Sequence, residues 1–385
     1  MIGFTSENGY VDGIVRGYRG ALLTVQQYNN LCHCETADEV RNQLTATDYG
    51  DQMMMTKTQA GTNTPGDGLK DKLRAKFVDQ FRYLRDNTAP ESTARQILER
   101  IQYGYMIDNV VLLLAGTSNY PQSDEAQGGG DGKKEEDARQ EREKELLREC
   151  HPLGQFDALG ILAVGGMSPQ EAHQLILQEL PIGKYFTDLK TSRYELIREI
   201  VWKRYLEDFC AWSLRNLDSV SRKLMAYLLE REAERRTLAI AINSLKASLT
   251  KDERFELFPQ IGLVHQNGLS YKLSRAEDYQ SVKAIIEQHP LLSARFSVGL
   301  DREHDRFDIN QEEDQSVNPF YSKFEECLAV EEVEDCKSVF EFPANYAVFY
   351  AWVRLKEQEA RNIVWISKCI SQQRKDNASE YIPIW

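Results

Sequence analysis

The sequence has no apolar run long enough to cross a bilayer. Its longest strongly apolar stretches, Val110 to Gly116 and Leu159 to Met167, fall far short of the roughly 18 to 20 residues that a spanning helix needs. Clustered Lys and Arg are missing too: 47 basic residues stand against 60 acidic ones, a formal charge of -13. Binding to phosphate backbones needs basic clusters that release counterions, so nucleic acid is excluded as a general partner. The opening MIGFTSENGY has neither a basic stretch nor an apolar one. No secretory signal is expected from it, and a cytosolic location follows.

Reaction chemistry is equally sparse. The six histidines include no H-E-x-x-H, and no G-x-S-x-G elbow occurs. GGGDGKK (128 to 134) fails as a nucleotide loop because Gln127 and Lys134 stand where Gly and Ser or Thr are required. The seven cysteines (32, 34, 150, 210, 327, 336, 369) are odd in number and scattered, unlike a secreted disulfide framework, and in the cytosol they stay reduced. Cys32-His33-Cys34 offers two metal ligands without a second pair at finger spacing, so small buried thiols are the preferred reading over zinc. A Cys34 to Cys336 bridge is left open. Asp301 to Asp308 alternates acids like a calcium loop, and Glu312 fits the twelfth position, but Arg306 stands where the sixth needs glycine. A solvated acidic loop is preferred there. No catalytic residue, cofactor site or metal site is expected.

What the sequence does hold is helix signal, and strand-like alternation is confined to the short Leu269 to Leu273. Five Ser/Thr-x-x-Glu boxes predict helix starts: Thr36 with Glu39, Thr88 with Glu91, Ser168 with Glu171, Thr250 with Glu253, and Ser274 with Glu277. Ile197, Ile200, Val201, Tyr205, Phe209 and Trp212 recur at three- and four-residue steps, as do Tyr346, Phe349, Tyr350, Val353, Ile363, Ile366 and Ile370. Both sets read as core stripes of long helices, the second running from Pro343 to about Gln373. The chain is mainly α.

Charge and repetition organise it further. Residues 301 to 335 hold thirteen acids against three bases, most of the net charge, and read as an acidic loop. Residues 123 to 150 are Gly-rich and then charged, and read as a linker whose second half is a solvated helix. EAERRTLAIAINSL (232 to 245) lies on EQEARNIVWISKCI (357 to 370) without a gap, an offset of 125 residues. Glu234 thereby meets Glu359, and Arg236 meets Arg361. Asn109-Val110 matches Asn362-Ile363 at about twice that offset, 253 residues. Three related helical units account for these offsets, and TPR or HEAT arrays are disfavoured by their shorter periods of roughly 34 to 47 residues. Each repeated Glu-x-Arg reads as a partly buried ion pair orienting its helix.

ENGYVDGIVRGYRGALLT (7 to 24), TDYGDQM (47 to 53), YMIDNVVLLLAG (105 to 116), HPLGQFD (151 to 157), KEQEARNIVWISKCI (356 to 370) and NASEYIPIW (377 to 385) together resemble the subunit d family of the vacuolar-type proton-pumping ATPases, which includes the archaeal-type C subunits. Leu257, Phe258, Pro259, Gly262, Gly268 and Leu269 fit the same pattern, with His265-Gln266 replacing its usual Tyr-Pro. The resemblance implies an all-α, funnel-like array of three pseudo-threefold related domains. Here they are set at 1–121, 150–248 and 249–385, with 122–149 as the linker and 301–335 as the acidic loop. It implies a non-catalytic rotor subunit with no cofactor. Its partners would be the proteolipid c-ring, the central stalk subunits D and F and the cytosolic part of subunit a, on the cytosolic face of acidified endomembranes. Tyr49, Gly50, Asp108, Asn109, Arg236, Glu359, Arg361, Asn362 and Trp365 carry the matched motifs and are expected to hold helices in register. Tyr381, Ile382 and Pro383 are read either as a docking element or as a packed tail. The rival class is a helical scaffold unrelated to the pump, and a helical hydrolase with a carboxylate pair ranks below it.

Overall fold

A computed structural model describes residues 2–54, 67–118, 146–155, 180–187, 189, 193–296 and 323–385. Among the described residues there is no strand. The chain opens with α1 (Ile2–Gly20), α2 (Val25–Cys32), α3 (Ala37–Leu44), α4 (Gly50–Met54), α5 (Asp67–Asp86) and α6 (Thr93–Ser118). It continues with α7 (Tyr194–Asn216), α8 (Ser219–Asn243), α9 (Lys251–Leu257), α10 (Gly262–Gln266), α11 (Leu269–Ser274) and α12 (Tyr279–Glu287), and closes with α13 (Lys323–Val339) and α14 (Ala347–Ser371).

The two long stripes form the helices expected of them. On α7, Ile197, Val201, Tyr205, Phe209 and Trp212 are buried, and α14 is buried along nearly its whole length. Asp218 ends the α7 to α8 turn by accepting from the Val220 and Ser221 amides, which starts α8. The Thr250 box closes in both directions at α9, while Thr36 caps α3 through the Glu39 amide. Two other boxes are false starts. Thr88 donates its hydroxyl to the Arg85 carbonyl at the end of α5, and Ser92 caps α6. Ser274 is the last residue of α11, and Asp278 caps α12 instead. Thr24 with Gln27 forms a complete box at α2 that a search for glutamate alone passes over. The Ser168 box lies outside the described residues.

Two further expectations need correction. Leu269 to Leu273 is helical, because Leu269 and Leu273, four apart, both face a core. Of the acidic loop, residues 323 to 335 belong to α13, where Phe324, Leu328 and Val333 supply the apolar face; 301 to 322 lie outside the described residues. Within the linker, 146–149 is helical and Cys150 is buried.

Three cores hold the helices. The largest joins α1, α5, α6, α7, α8, α13 and the first half of α14. A second gathers α9 to α12 against the ends of α8 and α13. The third packs α2, α3 and the start of α5 against the last turns of α14. Trp352 is fully buried on α14, with Tyr18 of α1 and Phe77 of α5 against its indole at 5.5 and 5.7 Å. Trp352→Ala removes that contact and leaves a cavity, so urea unfolding should show a loss of about 3–5 kcal/mol. A loss below about 1 kcal/mol would show that α1 and α5 do not depend on it.

Candidate functional site

Charged residues occupy core positions on the long helices, because i, i+3 and i+4 spacing sets them on the same face as the apolar stripe. Lys356 follows Phe349 and Val353 at steps of four and three, and it is 1% exposed. A buried charge must be paired or neutralised, and here the partners are all present.

The first set of pairs ties α8, α13 and α14. Arg235 bonds Asp335 at 2.9 Å and lies 3.5 Å from Glu232. Arg354 bonds Glu332 at 2.5 Å and Glu357 at 2.9 Å, and Arg236 bonds Glu232 at 2.8 Å. Tyr227 and Tyr105 donate their hydroxyls to Asp335 and Glu357. Burial alone would raise the Glu232 carboxyl, but Arg354, Arg236 and Arg235 outweigh it and hold the group far below the usual range. The guanidinium of Arg236 also lies 3.9 Å over Trp202, whose indole N–H donates to Asp108 at 2.9 Å. Arg198 reaches the same carboxylate, so α6, α7 and α8 are stitched together there.

A second set joins the first helices to the last. Lys356 bonds Glu359 at 2.7 Å and Asp48 at 3.4 Å. Glu359 accepts the Leu23 amide at 2.6 Å and the Tyr49 hydroxyl at 2.5 Å. Burial raises Asp48, yet Lys356, Lys76 and Gln80 bring it below the ordinary value. Tyr49 is pushed well up by burial and by Glu359, so its hydroxyl stays a donor.

The 125-residue offset returns as geometry. Arg231 bonds Glu234 at 2.7 Å, and Glu234 accepts the Leu263 amide at 2.8 Å. That matches Lys356, Glu359 and the Leu23 amide one for one. At the doubled offset the likeness is closer still. Asn109 accepts the His151 N–H and donates to the same residue's carbonyl, at 2.7 and 2.9 Å. Asn362 does the same with Ile382, at 3.2 and 2.6 Å. In each case a helix side chain clasps the backbone of a segment laid along the helix.

The matched residues are therefore not one cluster. Gly50 starts α4 so close to the Thr45 carbonyl that a Cβ would come within 2.6 Å of it. Trp365 donates to the Asn377 carbonyl. Tyr381 stacks on Tyr28 at 4.6 Å, Ile382 is buried in the Asn362 clasp, and Pro383 is exposed. The Glu-x-Arg ion pairs do not form: residues two apart point away from each other on a helix. Glu234 takes Arg231 and Arg295, Arg236 takes Glu232, and Arg361 lies 3.8 Å from Glu357. Cys34 and Cys336 are both free thiols, in different cores. Arg235, Glu332, Asp335, Arg354, Asp48 and Lys356 were not singled out by pattern. Their signal is a charge standing on an apolar stripe, as Lys356 does.

Among the described residues no group of three His, Cys, Asp or Glu could hold a metal, and no helix is long and apolar enough to cross a membrane. Helices cross-tied by buried ion pairs and backbone clasps, with no strand among the described residues, define the class as an all-α structural protein. The family described as ATP synthase (C/AC39) subunit matches residues 11–381. The chain belongs to that family, as a subunit and not as an enzyme in its own right. It is 35% identical to V-type proton ATPase subunit d1 of Arabidopsis thaliana over 386 residues, 98% of this chain and 97% of that one. It is 34% identical to subunit d of Dictyostelium discoideum over 391 residues (99% and 96%), and 30% identical to subunit d of Saccharomyces cerevisiae over 391 residues (99% and 99%).

Glu359→Gln takes from buried Lys356 the closer of its two carboxylates and leaves Asp48 alone at 3.4 Å, and should cost about 3 kcal/mol in urea unfolding. Replacing Lys356 by Met in the same chain should recover part of that loss; no recovery would show that the two do not act as a pair. Because Glu232 and Asp48 are depressed in the fold, the stability they add is present above their unfolded values of 4.5 and 3.8 and lost as pH falls below them. Glu232→Gln should flatten the acid limb of a Tm against pH curve.

Proposed function

We propose that this chain is the non-catalytic rotor subunit of a V-type proton ATPase. It sits on the cytosolic face of an acidified endomembrane, on the proteolipid c-ring. There it receives the foot of the central stalk, subunits D and F, and borders the cytosolic part of subunit a. ATP hydrolysis in the soluble sector then turns the stalk, and this subunit passes the torque to the ring. The observation that carries the reading is end-to-end similarity to proteins named V-type proton ATPase subunit d.

The chemistry of the chain supports it. A torque adaptor needs a stiff body and two interfaces rather than reactive side chains. The buried pairs and clasps link helices distant in sequence, and the acid excess suits basic partner surfaces that it would steer. The three units 1–121, 150–248 and 249–385 with linker 122–149, arranged in a pseudo-threefold funnel, are part of the proposal. Support comes from the Glu359 and Glu234 clasps at one offset and the Asn109 and Asn362 clasps at the other.

The test is to purify the tagged chain from native membranes without crosslinking and identify what travels with it. Proteolipid and stalk subunits should co-purify in defined ratio. Recovery of the chain wholly soluble and alone would overturn the rotor reading in favour of an unrelated helical scaffold.

A further inference from the structure

His151 lies where residues 146–155 dock against α5 and α6. Its backbone is held on both sides by the Asn109 amide. Its ring stacks on Tyr105, with centroids 4.3 Å apart at 19°, and Phe77 lies at 6.0 Å. Nδ1 of the ring accepts the Leu153 N–H at 3.3 Å and so caps the 3-10 turn Pro152–Gly154. Gly154 then presses so closely on α6 that a Cβ would come within 2.3 Å of the Tyr105 carbonyl. The seat leaves little room for adjustment.

A ring that accepts through Nδ1 carries its proton on Nε2 and is neutral, a tautomer assigned from the hydrogen bond. Protonation would turn that acceptor into a second donor facing another donor. The surrounding charges do not compensate. From α5 the charged group is Arg74, of the same sign. From α6 they are Tyr105, whose hydroxyl is committed to Glu357 of α14, and Asp108, committed to Arg198 and Trp202 of α7. Within its own segment Glu149 is exposed and Cys150 is a buried thiol. Among the described residues the one charge that acts on the ring is Arg74, and no carboxylate offsets it.

We propose that His151 makes the docking of residues 146–155 proton-sensitive, so that acidification opens this segment while the helices beneath it stay folded. Burial and Arg74 hold the docked imidazole down to about 3, against an ordinary value of 6.5. The docked value lies below the open one, so the open form binds more protons between them. Docking is therefore at full strength above 6.5 and weakens as pH falls from there towards 3. The open fraction rises about tenfold per pH unit in that window, or about thirtyfold between pH 7.5 and 5.

Cys150, next in the chain and 2% exposed, reports the opening. Cys210 of α7, also 2% exposed and in the same core, is the internal reference. The full-length chain is alkylated at about pH 7.5, 6.5, 5.5 and 5, and both peptides are quantified by mass spectrometry. Each rate is divided by that of the urea-unfolded chain at the same pH. Cys150 protection should fall about thirtyfold across the range while Cys210 protection holds. In His151→Asn, whose amide oxygen can accept from Leu153 but does not titrate, Cys150 protection should be flat. A flat profile in the wild type, an equal slope in the variant, or a parallel fall at Cys210 would each overturn the proposal. Should the variant not fold, the Cys150 to Cys210 comparison in the wild type decides alone.

Discussion

A charge placed inside a protein must meet its opposite there, and that requirement governs how these helices sit. Arg235, Arg354 and Lys356 enter the packed body on α8 and α14, and each fixes where a carboxylate from another element has to be: Asp335 and Glu332 on α13, and Asp48 in the turn before α4. Buried pairs of this kind add little net stability over an apolar core of the same shape, since desolvation offsets most of the attraction. Their effect is on alternatives. A slip of α13 against α14 by one turn would strand Glu332 and Arg354 at once, whereas a purely apolar seam could slide at modest cost. The lattice is thus a register device.

The clasps extend the same logic to the backbone. Leu23, Leu263, His151 and Ile382 lie on segments that end ordinary hydrogen-bonded structure, so their amides or carbonyls need partners. Glu359, Glu234, Asn109 and Asn362 supply them from the sides of helices. A carboxylate that bonds both an amide and a cation, as Glu234 and Glu359 do, couples chain placement to helix placement. The paired geometry gives the internal repeat a physical content that sequence similarity alone lacks. In a family of ATPase subunits, it supports the reading of a body assembled from related parts.

Helix content and the two long stripes were legible in the sequence because periodicity reports a local fact. Thr250 and Thr36 could be read as caps for the same reason. Thr88 and Ser274 misled because a hydroxyl three residues before a glutamate can equally end a helix by bonding the carbonyl behind it. The Glu-x-Arg pairs misled because adjacency in a motif is not adjacency on a helix. Glu332 and Asp335 fell within the acidic loop and Lys356 drew no reading of its own, since a charge standing on an apolar stripe is the one local sign that it is buried. Each has a partner on another element: Asp48, in the turn before α4, is far from Lys356 in sequence, and only the fold brings them together.

The third core sets an order of events during synthesis. Its residues come from 23 to 73 at one end of the chain and from 363 to 378 at the other. At about 5–20 residues per second, roughly 15–60 s separate the emergence of Leu73 from that of Ile363. Throughout that interval Tyr28, Leu31, Val40 and Leu44 lack the α14 part of their core, and Tyr49 waits for Glu359. The first helices made are among the last to finish folding, so the nascent chain exposes its N-terminal apolar faces until translation is nearly complete.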